Sequence, residues 1–503
     1  MVVVRFDNLR AKIEGDYPLD QVRRATSFFK KGFQFTTAYR RKGKWDGRTS
    51  LLSRPANTFP AGLVPAVVAA IESQGESVEL VDERELPVVH GSGDYSLPGI
   101  TLRDYQVRMI EAVLGGDGGF YRLPVTQAKR LDTRVKLPDR KNAIVDGRLS
   151  GRGIWWSATG SGKTEAAIAL TKALGARTLF VVRGNTLVDQ TRRRFADRLG
   201  VDVDDIGRIA EGSWAVRNIT IAGVDTLATA FGKPKAKKVL TKYLNHVGLL
   251  FADECHNAAS DNFSRIVNAC PAYYRIAMSG TPLDRSDGAN LKLVASFCEV
   301  VERVPLRELV EKGIAPKARI RFIKVDEPKL PDGTKYQTAY KLCVADNELL
   351  TKRIAKEAID ATGRGKSVLV LVDYIKHGQA ISDSIWKGAR PADFVPNEFV
   401  HGEDSLEERE AALGKFRRGE LPVLVASCIF GTGLDVPNFD VIINAAGGKS
   451  PINALQRIGR GLRGSELTYI EFAHDTQKHL RKHSMQRLNL YKKEGCFDIE
   501  VVD

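Results

Sequence analysis

The sequence has no long apolar run, since no window approaches the ~18 apolar residues that a membrane-spanning helix needs. Its first residues, MVVVRFDNLR, also lack the extended apolar stretch of a secretory signal peptide. Cysteine is scarce, with six in 503 residues, and no two are spaced as C-x-x-C. Zinc ribbons and iron–sulfur clusters use closely paired thiolates, so this spacing argues against both. Scattered thiols without a signal peptide favour a reducing cytoplasm, and no membrane partner is expected.

Positive charge is what the sequence has in excess. Lysine and arginine number 76 against 61 acidic residues, which gives a formal net charge of +15 and an isoelectric point near 9.4. Such a chain is attracted to polyanions, and nucleic acid is the most common of these. A basic surface that serves only solubility is the alternative. The apolar content of 43% is that of a globular protein, and the length predicts about two to four domains.

The distribution of apolar residues predicts the domains. Residues 1–90 mix short strand-like runs with helical runs near 19–31 and 63–73, which indicates a small α+β domain. Short apolar runs such as TLFVVR, ITIAGV and VGLLFAD then alternate with helical stretches, and the pattern returns after 366. Such runs are typical of central strands in parallel sheets. We predict an α/β protein with these parts: an N-terminal domain over 1–90, a first sheet domain over 91–304 with a basic insertion at 118–152, a linker over 305–345, a second sheet domain over 346–475 and a basic tail over 476–503.

Residues 157–164, SATGSGKT, predict a phosphate-binding loop, although Ser157 stands where the usual pattern has glycine. A glycine-rich turn lets backbone N–H groups close on phosphate oxygens, and the following helix adds its positive end. Lys163 is predicted to hold the β- and γ-phosphates, and the Thr164 hydroxyl to ligate Mg²⁺. The loop residues predicted to contact the nucleotide are Ser157, Thr159, Gly160, Ser161, Gly162, Lys163 and Thr164.

Residues 251–260, FADECHNAAS, allow three interpretations: a cysteine–histidine nucleophile, half of a metal site, or the carboxylates of a nucleotide-hydrolysing centre. Adjacent side chains on an extended chain point apart, which disfavours the nucleophile, and further metal ligands are missing. The acids follow a strand some 90 residues after the phosphate loop. We therefore predict that Asp253 holds Mg²⁺ and that Glu254 positions the attacking water.

These motifs, in this order, resemble those of superfamily 2 helicases over roughly residues 100–475. The resemblance implies two RecA-like motor domains, ATP and Mg²⁺ as cofactors, and nucleic acid as partner. LRDYQ implies adenine contacts by Arg103 and Gln106, while VRGNTLVDQ and GVDTL imply DNA-backbone contacts that we assign to Arg183 and Thr226. DECH and SGTP imply that His256, Ser279 and Thr281 couple hydrolysis to movement. FGTGLDVP implies that Gly433 and Asp435 approach the nucleotide.

The segment QRIGRGLR, 456–463, resembles the last motif of that family. Arg460 and Arg463 lie one turn apart on a predicted helix, so both can reach one cleft. An arginine supplied by a neighbouring domain accelerates phosphoryl transfer by ~10³–10⁵-fold. We assign Gln456, Arg460 and Arg463 to the catalytic set, with a basic solvated helix as the alternative.

The N-terminal run YRRKGKWDGRTSLLSRPANTFPAGLV, 39–64, resembles the small domain ahead of the motor in phage UvsW-type recombination helicases. Cations beside an aromatic ring suit phosphate contact and base stacking, so the predicted DNA contacts are Arg40, Arg41, Lys44, Trp45 and Arg48. Burial of Trp45 in a small core, with only the cations facing out, is the alternative. The insertion at 118–152 is either an added DNA-contact hairpin or a surface insertion without a role.

The expected function is that of an ATP-dependent DNA helicase or translocase that remodels branched DNA in recombination, replication or repair. A monomer is expected. If the chain is phage-encoded, it acts in the host cytoplasm. Two alternatives remain open: an RNA-directed helicase of the same superfamily, and a basic nucleic-acid-binding or annealing protein with a vestigial ATPase site. Intact Lys163, Asp253, Glu254, Arg460 and Arg463 argue against the last.

Overall fold

A computed structural model describes residues 1–30, 32–35, 39, 45–114, 134–136, 144–145, 147–255, 261–283, 288–388, 395–427, 439–447 and 466–502. These residues fall into two compact units, Met1–Val304 and Pro305–Asp503. Within the described ranges, no helix combines the length and the apolar character required to cross a bilayer.

The first unit begins with a small mixed sheet in the order β5-β2-β1-β6. Strand β1 alternates buried and half-buried side chains, because Val2, Val4 and Phe6 face the helices while the intervening residues face solvent. The elements are β1 (Val2–Phe6), β2 (Arg10–Glu14), α1 (Leu19–Ala25), β3 (Ser27–Phe29), β4 (Arg48–Ser50), β5 (Thr58–Pro60), α2 (Val64–Glu72), β6 (Val78–Asp82) and β7 (Glu85–Pro87). Strands β3 and β4 form a separate antiparallel pair.

An eight-stranded sheet follows, in the order β14-β13-β15-β12-β16-β17-β11-β18, parallel except for β14. Its central strand β12 is buried at every position, as expected for a strand with helices on both faces. The elements are α3 (Asp104–Leu114), β8 (Arg134–Lys136), β9 (Ile144–Val145), β10 (Arg148–Leu149), β11 (Arg152–Ser157), α4 (Lys163–Leu174), β12 (Thr178–Val182), α5 (Asn185–Leu199), β13 (Ile206–Ala210), β14 (Ser213–Ala215), β15 (Ile219–Gly223), α6 (Val224–Phe231), α7 (Pro234–Leu244), β16 (Leu249–Asp253), α8 (Asp261–Ala269), β17 (Tyr274–Ser279), α9 (Asn290–Phe297) and β18 (Val300–Val304).

The small sheet is packed directly on the eight-stranded sheet. Asn8 donates to the carbonyl oxygens of Glu85 and Pro271, both at 2.9 Å. A Cβ on Gly62 would lie 2.4 Å from the carbonyl oxygen of Val294, so only glycine fits where the turn Ala61–Leu63, just before α2, meets α9. Buried Leu149, which belongs to the predicted 118–152 insertion, joins the same hydrophobic core. The core of the small sheet therefore extends to Leu149 and to Ala295 of α9, while the eight-stranded sheet has a hydrophobic core of its own.

The second unit contains a seven-stranded sheet in the order β21-β22-β20-β23-β24-β19-β25, in which every neighbouring pair is parallel. Strands β20 and β22 are buried throughout because helices lie on both of their faces. The elements are α10 (Leu306–Glu311), β19 (Ala318–Lys324), α11 (Tyr336–Tyr340), α12 (Glu348–Thr362), β20 (Val368–Val372), α13 (Ile375–Gly388), β21 (Asn397–Val400), α14 (Leu406–Arg417), β22 (Val423–Ser427), β23 (Val441–Asn444), β24 (Leu467–Ala473), α15 (Lys478–Glu494) and β25 (Asp498–Val502).

The predicted fold class, an α/β protein with two parallel-sheet units, is confirmed. The structure differs from the prediction in three segments. The predicted linker 305–345 contains β19, whose alternating residues ARIRFIK pair with strands on both sides. The helical run predicted near 19–31 ends at Ala25, because Ser27–Phe29 pair with β4. Residues 498–502 of the predicted tail form β25, which pairs with β19.

Candidate active site

Three of the predicted motifs meet at the carboxyl edge of the first sheet. Strand β11 pairs with β17, and β17 pairs with β16, all in parallel. The phosphate loop follows β11, Asp253 ends β16 with Glu254 directly after it, and Ser279 ends β17. Parallel α/β sheets bind ligands at the carboxyl ends of their strands. The motifs therefore converge where a ligand is expected.

The phosphate loop has a backbone conformation at two positions that strongly favours glycine. Gly160 and Gly162 have φ angles of 84° and 78°, in the left-handed region. Ser157, the departure from the usual pattern, is fully buried, and its hydroxyl donates to that of Ser161 at 2.5 Å. The Lys163 ammonium donates to the carbonyl oxygen of Ser157 at 3.1 Å. Its charge has no acidic partner among these contacts, which suits an anion at the amino end of α4.

Residues of α3 brace the same loop. The Gln106 amide donates to the carbonyl oxygen of Ser161 at 3.0 Å and accepts from the backbone N–H of Arg103 at 2.9 Å. Buried Tyr105 also donates to the Ser161 carbonyl, at 3.0 Å. We predicted that Arg103 and Gln106 contact a base, and the structure shows Gln106 holding the loop itself. Tyr105 was missed, because nothing in the sequence distinguishes it from an ordinary core aromatic.

The two acids of β16 occupy different environments. Asp253 ends the strand, and its carboxylate accepts from the backbone N–H of Glu254 at 2.9 Å. Glu254 has a φ of 46°, which is uncommon for a residue other than glycine and turns its side chain away from the strand direction. The Ser279 hydroxyl lies 3.5 Å from the Glu254 carboxylate and accepts from the backbone N–H of Thr281 at 3.2 Å. The structure thus brings Glu254, Ser279 and Thr281 together.

Cys255 is buried beside these carboxylates. Burial, followed by the charges of Glu254 and Asp253, raises the pKa of its thiol well above the usual value. Reactive cysteines need the opposite conditions, namely an exposed and electropositive setting. The thiol is therefore held protonated, which disfavours the interpretation of this segment as a cysteine nucleophile.

The loop after β17 is fixed against the phosphate loop by Trp156. The indole N–H donates to the carbonyl oxygen of Gly280 at 2.8 Å. A Cβ on Gly280 would lie 3.6 Å from the carbonyl oxygen of Ser157 and 3.7 Å from the amide nitrogen of Thr159. The guanidinium of Arg303 lies over the Trp156 ring at 4.5 Å. These contacts couple the positions of the two loops. Trp156 is a second residue that the motifs did not predict.

Glu165, in the first turn of α4, connects the phosphate loop to α5. Its side chain is 8% exposed and accepts from Arg194 at 2.7 Å and from Arg198 at 2.8 Å. Both arginines belong to the helix that follows Arg183. We call this set of three residues the Glu165 clamp. The partners lie 29 and 33 residues further along the chain, so sequence reasoning missed the interaction.

The ligands that Mg²⁺ prefers are present at this edge. Mg²⁺ takes oxygen ligands, usually one or two protein groups together with phosphate oxygens and water. Thr164 stands in the first turn of α4, and the half-buried Asp253 carboxylate ends β16, two strands away. The donor set is all oxygen and carries one negative charge, which fits Mg²⁺ held jointly with a polyphosphate.

Only some of the residues predicted to contact nucleic acid lie within the described part of the chain. Exposed Arg183 and half-buried Thr226 follow the neighbouring strands β12 and β15 at the carboxyl edge. Trp45 is half-buried, packs edge-on against Phe33 at 5.9 Å and donates to the carbonyl oxygen of Arg48 at 2.7 Å. The exposed ring nearby is Phe29, with the Arg48 guanidinium 5.2 Å above it. The predictions for Arg40, Arg41, Lys44, His256, Gly433, Asp435, Gln456, Arg460 and Arg463 lie outside the described residues.

Two family models match the chain, and together they span more than half of it. One, for the res subunit of type III restriction enzymes, matches residues 99–284, and the other, for the helicase conserved C-terminal domain, matches residues 349–465. The ATP-dependent DNA helicase uvsW of Enterobacteria phage T4 is 27% identical over 488 residues, which cover 91% of this chain and 86% of that protein.

Other similarities are more limited in extent. The Rad25 protein of Haloarcula marismortui is 27% identical over 347 residues, covering 68% of this chain and 52% of that protein. The chain thus spans about half the length of that curated relative. The ATP-dependent Type ISP restriction-modification enzyme LlaBIII bound to DNA has a TM-score of 0.53 and 14% identity, covering 80% of this chain and 31% of that one. This likeness shows the fold alone.

Proposed function

We propose, from the premise that this chain belongs to the superfamily 2 helicases, that it is an ATP-dependent DNA helicase or translocase that remodels branched DNA. The observation that carries the proposal is the meeting of the phosphate loop, the Asp253–Glu254 pair and Ser279 at one sheet edge. The relative named uvsW, aligned over 91% of the chain, favours DNA as the polymer. The net charge of +15 fits a partner with a phosphate backbone.

In this proposal the chain's own residues supply positioning and charge. Lys163 leaves the carbonyl oxygen of Ser157 and binds phosphate oxygens, while N–H groups of the loop and of α4 face the same anion. Thr164 and Asp253 would hold Mg²⁺, and the ion would supply positive charge that neutralises the phosphates. Glu254 accepts a hydrogen bond from the attacking water and orients it. Ser279 contacts Glu254 and accepts from the backbone N–H of Thr281, so the two residues pass the loss of the γ-phosphate to the loop after β17.

The proposal is tested by measuring ATP hydrolysis with no polymer, single-stranded DNA, duplex DNA, a four-way DNA junction and structured RNA. We expect the junction to stimulate hydrolysis most, and a labelled junction to be converted to its component duplexes only when ATP is present. Glu254→Gln should keep junction binding and lose the conversion. Stimulation by RNA alone would identify an RNA-directed helicase instead. Tight DNA binding without any hydrolysis would overturn the motor and leave an annealing or binding protein.

Glu165 is expected to act as a positioning residue for hydrolysis. Glu165→Gln removes the charge that holds Arg194 and Arg198, so the first turn of α4, which carries Lys163 and Thr164, loses its support. Misplacement of catalytic groups by about 1 Å costs ~10²-fold in rate. We therefore expect kcat at saturating ATP to fall roughly 10- to 100-fold, as measured by steady-state hydrolysis alongside thermal unfolding.

The matched control for this variant is Glu357→Gln. Glu357 is also 8% exposed and also binds two arginines, Arg321 at 2.8 Å and Arg353 at 3.1 Å, but it lies in the second unit. Both variants should lower the unfolding temperature to a similar degree. If kcat falls equally in both, the Glu165 clamp contributes only to stability and its positioning role is wrong.

A further inference from the structure

A row of aromatic rings lies at the carboxyl edge of the second sheet. Tyr374 stands two residues after β20 and is 52% exposed. Its ring centroid lies 5.5 Å from that of Tyr340, with the planes at 40°. Tyr340 in turn contacts Tyr336 at 5.9 Å. We call Tyr336, Tyr340 and Tyr374 the aromatic row. Two of its members belong to the segment that the sequence had suggested to be a linker.

The inner rings of the aromatic row are fixed in place. Tyr340 is 4% exposed, and its hydroxyl donates to the carbonyl oxygen of Ala446 at 2.6 Å. Tyr336 packs edge-on against His483 of α15, with centroids 5.1 Å apart. The row is thus supported by residues from α15 and from the segment after β23. Tyr374 is the exposed member of the row, and its ring packs against that of Tyr340, which these contacts hold in place.

The surroundings of Tyr374 combine apolar surface with positive charge. Ile375 is 39% exposed and Lys376 is exposed beside it. On α15, which supports Tyr336, the residues Lys478, Arg481 and Lys482 are exposed. The nearby acids are Asp373, whose carboxylate lies 3.3 Å from the Tyr340 hydroxyl, and Asp346, which lies 3.8 Å from the Lys341 ammonium. An exposed aromatic ring with cations on the neighbouring surface is the arrangement by which proteins stack unpaired bases while contacting their phosphates.

We propose that Tyr374 is a stacking site for an unpaired base of single-stranded nucleic acid, with Tyr340 as the ring that backs it. The proposal rests on the proposed function, since it assumes a nucleic-acid partner. It adds a contact between the Tyr374 ring and the face of a base, which is separate from contacts with the phosphate backbone. Every base has such a face, so the site is expected to tolerate any sequence. The carboxyl edge of a parallel sheet is also where ligands of α/β proteins bind.

The test compares the full-length protein with Tyr374→Ala and Tyr374→Phe in binding a labelled thymidine oligomer and an abasic oligomer of the same length. Base stacking on an aromatic side chain contributes enough that its removal weakens binding by about 5- to 150-fold. We expect Tyr374→Ala to show that loss on the thymidine oligomer and none on the abasic one. Tyr374→Phe should bind like the unchanged protein. The salt dependence of binding should keep its slope, because no phosphate contact is removed.

Trp386→Ala is the matched control, because Trp386 is 50% exposed but lies at the other end of α13. It should leave both affinities unchanged. Equal weakening on the two oligomers, or no weakening on either, would overturn the stacking site. Affinity for a folded protein partner that depends on Tyr374, without any change on DNA, would overturn it as well. Failure of the stacking site alone leaves DNA-stimulated hydrolysis intact, whereas failure of the proposed function removes that stimulation from the unchanged protein.

Discussion

Replacing Lys163 by alanine is expected to lower kcat for ATP hydrolysis by about 10²–10³-fold, the effect of removing one charged donor from a phosphoryl or acyl transition state. Lys163 donates to carbonyl oxygens of its own loop, at 3.1 Å for Ser157 and 3.5 Å for Ala158, and no ion pair of Lys163 is found among the described residues. Its charge is therefore available to the phosphates. Steady-state hydrolysis with and without DNA measures the loss.

Lys172→Ala provides the control for that experiment within the same helix. Lys172 lies in the last turn of α4 and forms an ion pair with Asp94 at 2.8 Å, where its side chain is 35% exposed. Exposed pairs of this kind contribute about 0–1 kcal/mol to stability. We expect hydrolysis by Lys172→Ala to stay within twofold of the unchanged protein. Comparable losses in the two variants would mean that any damage to α4 reduces the rate, and the assignment of Lys163 to phosphate would then be wrong.

Replacing Glu471 by glutamine is expected to destabilise the second unit by about 3–5 kcal/mol, because it leaves a buried arginine without its counter-charge. Glu471 is fully buried in β24 and lies 3.0 Å from Arg487 of α15, which is 2% exposed. Its carboxylate also accepts from Asn444 at 2.9 Å and from Tyr491 at 2.8 Å. Denaturant unfolding followed by circular dichroism measures the loss.

Glu500→Gln is the matched control on the same sheet. Glu500 pairs with Arg319 at 2.9 Å, a similar distance, but the two side chains are 40% and 57% exposed. Water screens such a pair, so we expect its loss to cost less than about 1 kcal/mol. If the two variants unfold at the same denaturant concentration, the buried Glu471–Arg487 pair contributes no more to stability than an exposed pair, and the prediction is wrong.

The strands and the catalytic loops were predictable because short-range patterns encode them. Buried strands such as β12 appear in the sequence as unbroken apolar runs, and the glycines of SATGSGKT mark the two positions where φ is positive. The interactions between distant segments were not predictable. Gln106 and Ser161 are 55 residues apart. Neither residue type indicates that the side-chain amide of Gln106 donates to the backbone carbonyl oxygen of Ser161.

The N-terminal domain shows a feature that composition does not specify. Cations around Trp45 suggested that this ring contacts nucleic acid, with burial as the alternative. Trp45 is half-buried against Phe33, and Phe29 is the ring that reaches solvent, at 49% exposure. Which of several aromatic residues in a small core remains exposed depends on the pairing of β3 with β4, and no local pattern specifies that pairing.

The position of β19 has a consequence for synthesis of the protein. Both of its neighbours in the sheet, β24 and β25, come from residues 467–502, so β19 emerges from the ribosome long before either partner exists. Until then its apolar side chains and both backbone edges are exposed in the nascent chain, a state that favours aggregation. We therefore expect the second unit to need protection from aggregation during translation, since a chain that ends before residue 467 lacks both partners of β19.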